Sequence, residues 1–332
     1  MAAMARKRQS PGAVDKSGPI SLDARSDARW EPDDLSTPQS TPQPGAIGTG
    51  GVPHSAPPLR YHLQSTDVPE WLVFPYIHGG YRLGGDYWSC VLSLFVLHNE
   101  CLNAWTLLLG GLLSTLALAF VFSTYDVRGL DASAFVVFWF SLIAHMPFSV
   151  GYHTFLPISA AVCARWRRLD ITFSFLMAVQ LTYSMSYFVY GSLYGTLLAT
   201  SLVALLAAKA IAVIHSSHLE RRQLTRLVGL STVGYYLPVV FWAAQDAWRY
   251  GTYGVPALAA LVLPASLVGG AYIYETHMPE CFWPGKLDLV VRGGNSHLWL
   301  HFGVITAHMM GFCFVLHGYL HKTGQVSPRP TL

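Results

Sequence analysis

An all-α membrane protein, a seven-transmembrane helix bundle with a cytoplasmic N-terminus and an extracytoplasmic C-terminus, is the fold this sequence predicts. Three observations lead there. Of 332 residues, 52% are hydrophobic and only 12% charged, about half the ~25% charge of soluble domains. Seven apolar blocks follow one another, each close to the ~20 residues that cross a ~30 Å hydrocarbon core as a helix. Lys and Arg gather in alternate connections between those blocks. With a mean hydropathy of +0.36, a soluble single-domain enzyme, a disordered chain and a fibrous protein are all disfavoured.

Residues 1–65 hold nine of the 20 prolines. Runs such as STPQSTPQPGAIGTGG have almost nothing to bury against the entropy of ordering, so a disordered tail is expected. The chain opens on a basic stretch without an apolar core, which does not resemble a cleavable signal peptide. Residues 66–104 bring the first aromatic cluster, EWLVFPYIHGGYRLGGDYW, and read as a segment folded against the membrane surface. The seven blocks then run over 105–123, 133–155, 171–190, 192–215, 227–247, 255–274 and 298–320, with a tight turn at Gly191 between the third and fourth. They are continuous and do not alternate, which indicates helices and not a barrel. Residues 321–332 form a short C-terminal tail.

Orientation follows the positive-inside rule. Arg165, Arg167, Arg168, Arg221, Arg222, Arg226, Lys286 and Arg292 fall on the same side as the basic N-terminal segment. Only Arg128, Arg249, Lys322 and Arg329 fall opposite. Lys209 lies inside the fourth block near its cytoplasmic end, where it can snorkel. The net charge of +3 is too small and dispersed to suggest nucleic acid. The cysteines number five, and no two form a CxxC pair, which argues against a disulfide framework or a thiolate zinc site. Cys163 reads as a spectator thiol in a membrane-proximal loop.

Ionisable residues inside spans are costly and are functional candidates. The chain has 14 histidines, and an isolated one, such as His145, His308 or His317, reads as a packing residue. His297 and His301 differ, because a spacing of four puts both imidazoles on one face of a helix. On the antiparallel second block, Ser149 and His153 share the same spacing at the same membrane depth, and Asp170 opens the third block there. Three neutral imidazoles suit Zn²⁺ with a fourth position left for water, the pattern of a catalytic site, and zinc brings the pKa of such a water towards ~7. Asp170 and Ser149 are the expected catalytic residues: Asp170 to hold the water or accept its proton, Ser149 to orient the water or a ligand. The alternative is that Asp170 only pairs with Arg167 or Arg168 and Ser149 bonds its own backbone. His153, His297 and His301 are the expected metal ligands.

At these residues the sequence resembles the progestin and adipoQ receptor family, which includes adiponectin receptors, fungal relatives and hemolysin III-like proteins. Tyr76-Ile77-His78-Gly79-Gly80-Tyr81-Arg82 is similar to its YIxxGYR element. His98-Asn99-Glu100-Cys101-Leu102-Asn103-Ala104-Trp105-Thr106 is similar to HTETxNxWTH. Ser149-x3-His153, Asp170, Pro279-Glu280-x3-Pro284-Gly285-Lys286-Leu287-Asp288 and Ser296-His297-x3-His301 follow in order. The departures are Asn99 and Cys101 for Thr, Leu107 for His, and Leu298 for Gln; none removes a metal ligand. Glu100 and Asn103 are expected to cap the first span or to bond neighbouring helices.

The resemblance implies bound Zn²⁺, a seven-span fold inverted relative to receptors coupled to G proteins, and hydrolysis of a lipid amide bond as in alkaline ceramidases. The expected partner is a membrane lipid, ceramide-like as substrate or a sphingoid base or fatty acid as product. The rival reading is a receptor with structural zinc and an extracellular ligand, although the short outer connections (124–132, about 191, and 245–254) leave little surface for a large one. Transport is weaker still, since the ionisable residues cluster at one depth. The expected location is the plasma membrane or an endomembrane, as a multi-pass protein.

Overall fold

The structure, a computed structural model, describes residues 57–216, 221–251, 254–289 and 294–326. Most of the expected tail (1–56), the basic residues Arg292 and Arg329, and residues 327–332 lie outside these. The last part of the stretch read as tail contains a strand, β1 (Arg60–Leu63), paired antiparallel with β2 (Tyr81–Leu83). A short helix, α1 (Tyr87–Leu92), follows. Asp86 caps it: its carboxylate accepts from the Ser89 N–H at 2.7 Å while its own N–H donates to the Ser89 hydroxyl at 2.9 Å, a reciprocal capping box.

Seven long helices make up the body of the described residues: α2 (Cys101–Thr124), α3 (Gly129–Phe155), α4 (Ala160–Tyr190), α5 (Leu193–Ser216), α6 (Arg221–Tyr250), α7 (Val255–Glu275) and α8 (Ser296–Lys322). Among the described residues, all of these except α4 are long and apolar enough to cross a membrane. Leu206, Leu230, Leu261 and Val268 are 66–68% exposed, and so many bare aliphatic side chains on every flank require an apolar solvent. α4 differs because it is interior, packed against α3, α5, α6 and α8. Its later turns carry polar residues that the bundle tolerates because they bond within the helix. The Thr182 and Ser186 hydroxyls each donate to the carbonyl one turn earlier, at 2.8 and 2.6 Å.

α4 also begins well before the expected position 171. Ser159 caps it by accepting from the Val162 N–H at 3.2 Å, and the turns bearing Arg165, Arg167 and Arg168 are helical despite their charge. Cys163 is therefore not in a loop. It is buried in the first turn of α4 against Leu72 and Leu156. The turn between α4 and α5 does fall at Gly191, whose φ of 56° is the left-handed conformation that terminates helices with little strain only at glycine.

The main core fills the space between α3, α4, α6, α7 and α8 with Phe135, Phe138, Met185, Val239, Leu263, Phe312 and Phe314. Phe135 and Phe138 meet Phe312 edge-on, at centroid separations of 5.9 and 5.7 Å, a favoured aromatic geometry. Nearer the metal-ligand end, α3 and α4 touch through Gly151. A Cβ there would lie 2.1 Å from the Trp166 ring, so only glycine lets the indole seat. Gly151→Ala is expected to cost about 1–3 kcal/mol and to lower the melting temperature in detergent; an unchanged melting curve would refute this packing.

Candidate metal centre

His153 comes from the last turns of α3 and His297 and His301 from the first turns of α8. Their ligand atoms all lie within 4.8 Å of one another, and the ring centroids are 4.8 Å (153–297), 5.1 Å (153–301) and 4.8 Å (297–301) apart. The loop 279–288 sets the register of α8. Glu280 accepts from the Ser296 N–H at 2.7 Å and from the Ser296 hydroxyl, and Asn295 accepts from the Leu298 N–H at 3.1 Å. These bonds satisfy amides that a helix start leaves unpaired. Asp288 accepts from the N–H groups of His78 and Gly79, at 3.0 and 2.6 Å, tying the loop to the membrane-proximal segment.

Acceptors fix the tautomers of two rings. His153 Nδ1 is 2.6 Å from Glu100 Oε2. An ionised carboxylate only accepts, so Nδ1 carries the proton and Nε2 keeps its lone pair. That Nε2 is buried and has no hydrogen-bond partner. His301 Nδ1 is 3.1 Å from the carbonyl of Asn103 and 3.0 Å from Thr106 Oγ1. The carbonyl also only accepts, which again leaves Nε2 as the basic nitrogen. Two imidazoles thus present lone pairs in a buried site, and the third ring, His297, is also braced by Tyr274 at 5.0 Å. This donor set fits a divalent metal ion that accepts nitrogen.

Ser149 is buried one turn before His153, beside the Asp170 carboxylate. Asp170 interacts electrostatically with His153 and His301. Among the described residues its ion-pair partner is His145, at 2.9 Å, and not Arg167 or Arg168. His145 is therefore more than the isolated packing residue expected, and Ser174 also bonds it, at 3.2 Å. Glu100 occupies the N-cap position of α2 but makes no side-chain cap; it bonds His153 and accepts from Asn103 Nδ2 at 2.9 Å.

Arg82 was legible only as part of a motif, yet it is buried and bonds the carbonyls of His153 (2.8 Å) and Thr154 (3.3 Å) and the Ser93 hydroxyl. Burial brings its pKa down to about 10, so it stays cationic at neutral pH. Burial, with Arg82 nearby, pushes His98 down to about 2, so His98 stays neutral. A signal for Glu100 did exist in the sequence. Glu100, Asn103 and Thr106, at spacings of three, mark one polar face at the start of an apolar helix.

A separate cavity of about 30 Å³ lies among α3, α4, α6, α7 and α8. It is lined mainly by apolar side chains with His308 in its wall. It has room for about one water, and none of the three clustered histidines lines it.

Sequence comparison places the chain among known proteins. The chain is 28% identical over 243 residues to progestin and adipoQ receptor family member 3 of Homo sapiens, covering 67% of this chain and 74% of that protein. It is 32% identical over 276 residues to membrane progestin receptor beta of Sus scrofa, covering 74% and 72%. It is 26% identical over 255 residues to the adiponectin receptor protein of Drosophila melanogaster, covering 73% and 56%. The family model described as "Haemolysin-III related" matches residues 95–312, a span that includes all three clustered histidines. This chain belongs to the haemolysin-III related family and is a multi-pass membrane protein.

Proposed function

We propose that the protein is a zinc-dependent hydrolase of a lipid amide, ceramide-like, in a seven-span bundle whose metal-bearing end faces the cytoplasm. The observation that carries this reading is the Asp170 carboxylate, with the buried Ser149 beside it, next to a histidine triad in which His153 and His301 keep Nε2 as the basic nitrogen. A structural site has no need of that pairing. The basic residues that flank the same end, Arg165, Arg167 and Arg168 in the first turns of α4 and Arg226 near the start of α6, support the orientation.

A zinc ion held by His153, His297 and His301 would supply a Lewis acid for the amide carbonyl. Asp170 accepts the proton of the water that attacks the carbonyl carbon and later returns it to the departing nitrogen. His145 holds Asp170 in place, and Ser149 orients the attacking oxygen. The amide C–N bond breaks, and a fatty acid and a sphingoid amine leave. The helices exclude bulk water, which strengthens each of these polar contacts.

A second reading, a receptor in which the metal is structural, is favoured by one observation: the cavity walled by His308 has room for about one water, and His153, His297 and His301 do not line it. Purified protein in nanodiscs, loaded with zinc and given a short-chain ceramide, is expected to release fatty acid, and zinc removal is expected to stop it. Fully metallated protein that releases none would leave the receptor reading in possession.

A further inference from the structure

We propose that the membrane-proximal segment is a working part of the metal centre, with Glu100 as the positioning residue that makes Nε2 of His153 the metal-binding nitrogen. The inference rests on the metal-site reading above and extends it to residues outside the ligand set.

His153 is held from two directions. Its ring donates to Glu100 at 2.6 Å, with the two side chains 0% and 3% exposed. Its backbone carbonyl accepts from Arg82 at 2.8 Å. That carbonyl and the Thr154 carbonyl lie in the last turn of α3, which ends at Phe155. A helix leaves its final carbonyls without intrahelical partners, and the Arg82 guanidinium supplies the missing donors along with the positive charge that a helix C-terminus favours.

The start of α2 then links the two ligand-bearing helices. Asn103 donates its side-chain amide to Glu100, which holds His153 of α3, and its backbone carbonyl accepts from His301 of α8. One residue thus braces both ligands. A buried carboxylate on the outer nitrogen of an imidazole fixes the ring orientation and raises the basicity of the other nitrogen. A helix-packing bond has no need of the negative charge, and that difference is testable.

The experiment uses the full chain in nanodiscs, stripped of metal and titrated with Zn²⁺ against a chelator and with Co²⁺ as a spectroscopic probe. Glu100→Gln keeps the shape and removes the charge. It is expected to bind zinc about 10–100-fold more weakly and to shift the Co²⁺ visible spectrum, while the metal-free melting temperature holds. Glu100→Asp, which restores the charge, is expected to recover part of the affinity. Unchanged affinity and spectrum in Glu100→Gln would overturn the positioning role while leaving the metal site intact. A fall in metal-free melting temperature that accounts for the lost affinity would assign Glu100 to packing alone, which also overturns it. Failure of the unsubstituted chain to bind either ion would refute the metal-site reading itself.

Discussion

His153→Ala is expected to purify without bound metal, and the unsubstituted chain is expected to carry one ion per molecule. Three imidazoles drawn from two helices make the site. Without His153 only the pair on one turn of α8 remains, and a two-nitrogen chelate keeps little of the about 10–16 kcal/mol that complete zinc sites can reach. The same substitution takes the imidazole donor from the buried Glu100 carboxylate, which keeps only its bond from Asn103 and loses at least about 1–3 kcal/mol. His301→Ala makes the cleaner companion, because the acceptors it strands, the Asn103 carbonyl and the Thr106 hydroxyl, are uncharged. Elemental analysis of both should show metal loss, with the larger fall in metal-free stability confined to His153→Ala. Full metal retention in either would remove that residue from the ligand set.

Asp170→Asn is expected to keep the metal and to lose amide hydrolysis by about 10²–10⁴-fold, the usual contribution of a positioned acid or base. Asn retains the shape and can still bond His145 through its side-chain oxygen, so the fold should survive. What disappears is a group able to take up a proton. The informative measurement is turnover per bound zinc, since a drop in metal content alone would mimic the loss. Normal turnover in fully metallated Asp170→Asn would dismiss this residue as the proton acceptor and transfer the role elsewhere.

Much of the architecture was legible because lipid demands long apolar segments and punishes isolated charge. Each apolar block lies within one of the long helices except the fourth, which begins at Ser192, one residue before α5, and the turn at Gly191 was fixed by the left-handed conformation it needs. The start of α4 was not legible. Arg165, Arg167 and Arg168 read as a polar connection, although a helix whose first turns leave the apolar zone can carry them without cost. The α4 interior also departs from a plain apolar pattern, because Thr182 and Ser186 satisfy their hydroxyls on their own backbone.

At the site, the clustering of His153, His297 and His301 followed from spacing and depth. The partners of those residues did not. Glu100 lies far from His153 in the chain, and nothing in a linear pattern says that its carboxylate turns away from the α2 N-terminus to meet an imidazole. His145 was likewise indistinguishable from a packing histidine until α4 brought Asp170 to it. Periodicity reports which face a residue occupies; it does not report which neighbouring helix that face meets.

X-ray absorption at the zinc edge on the zinc-loaded protein tests the central claim most directly. Three imidazole nitrogens at ~2.0–2.1 Å and no sulfur neighbour are the result predicted. A sulfur shell at ~2.3 Å, or fewer than two imidazoles around the ion, would contradict a centre built from α3 and α8.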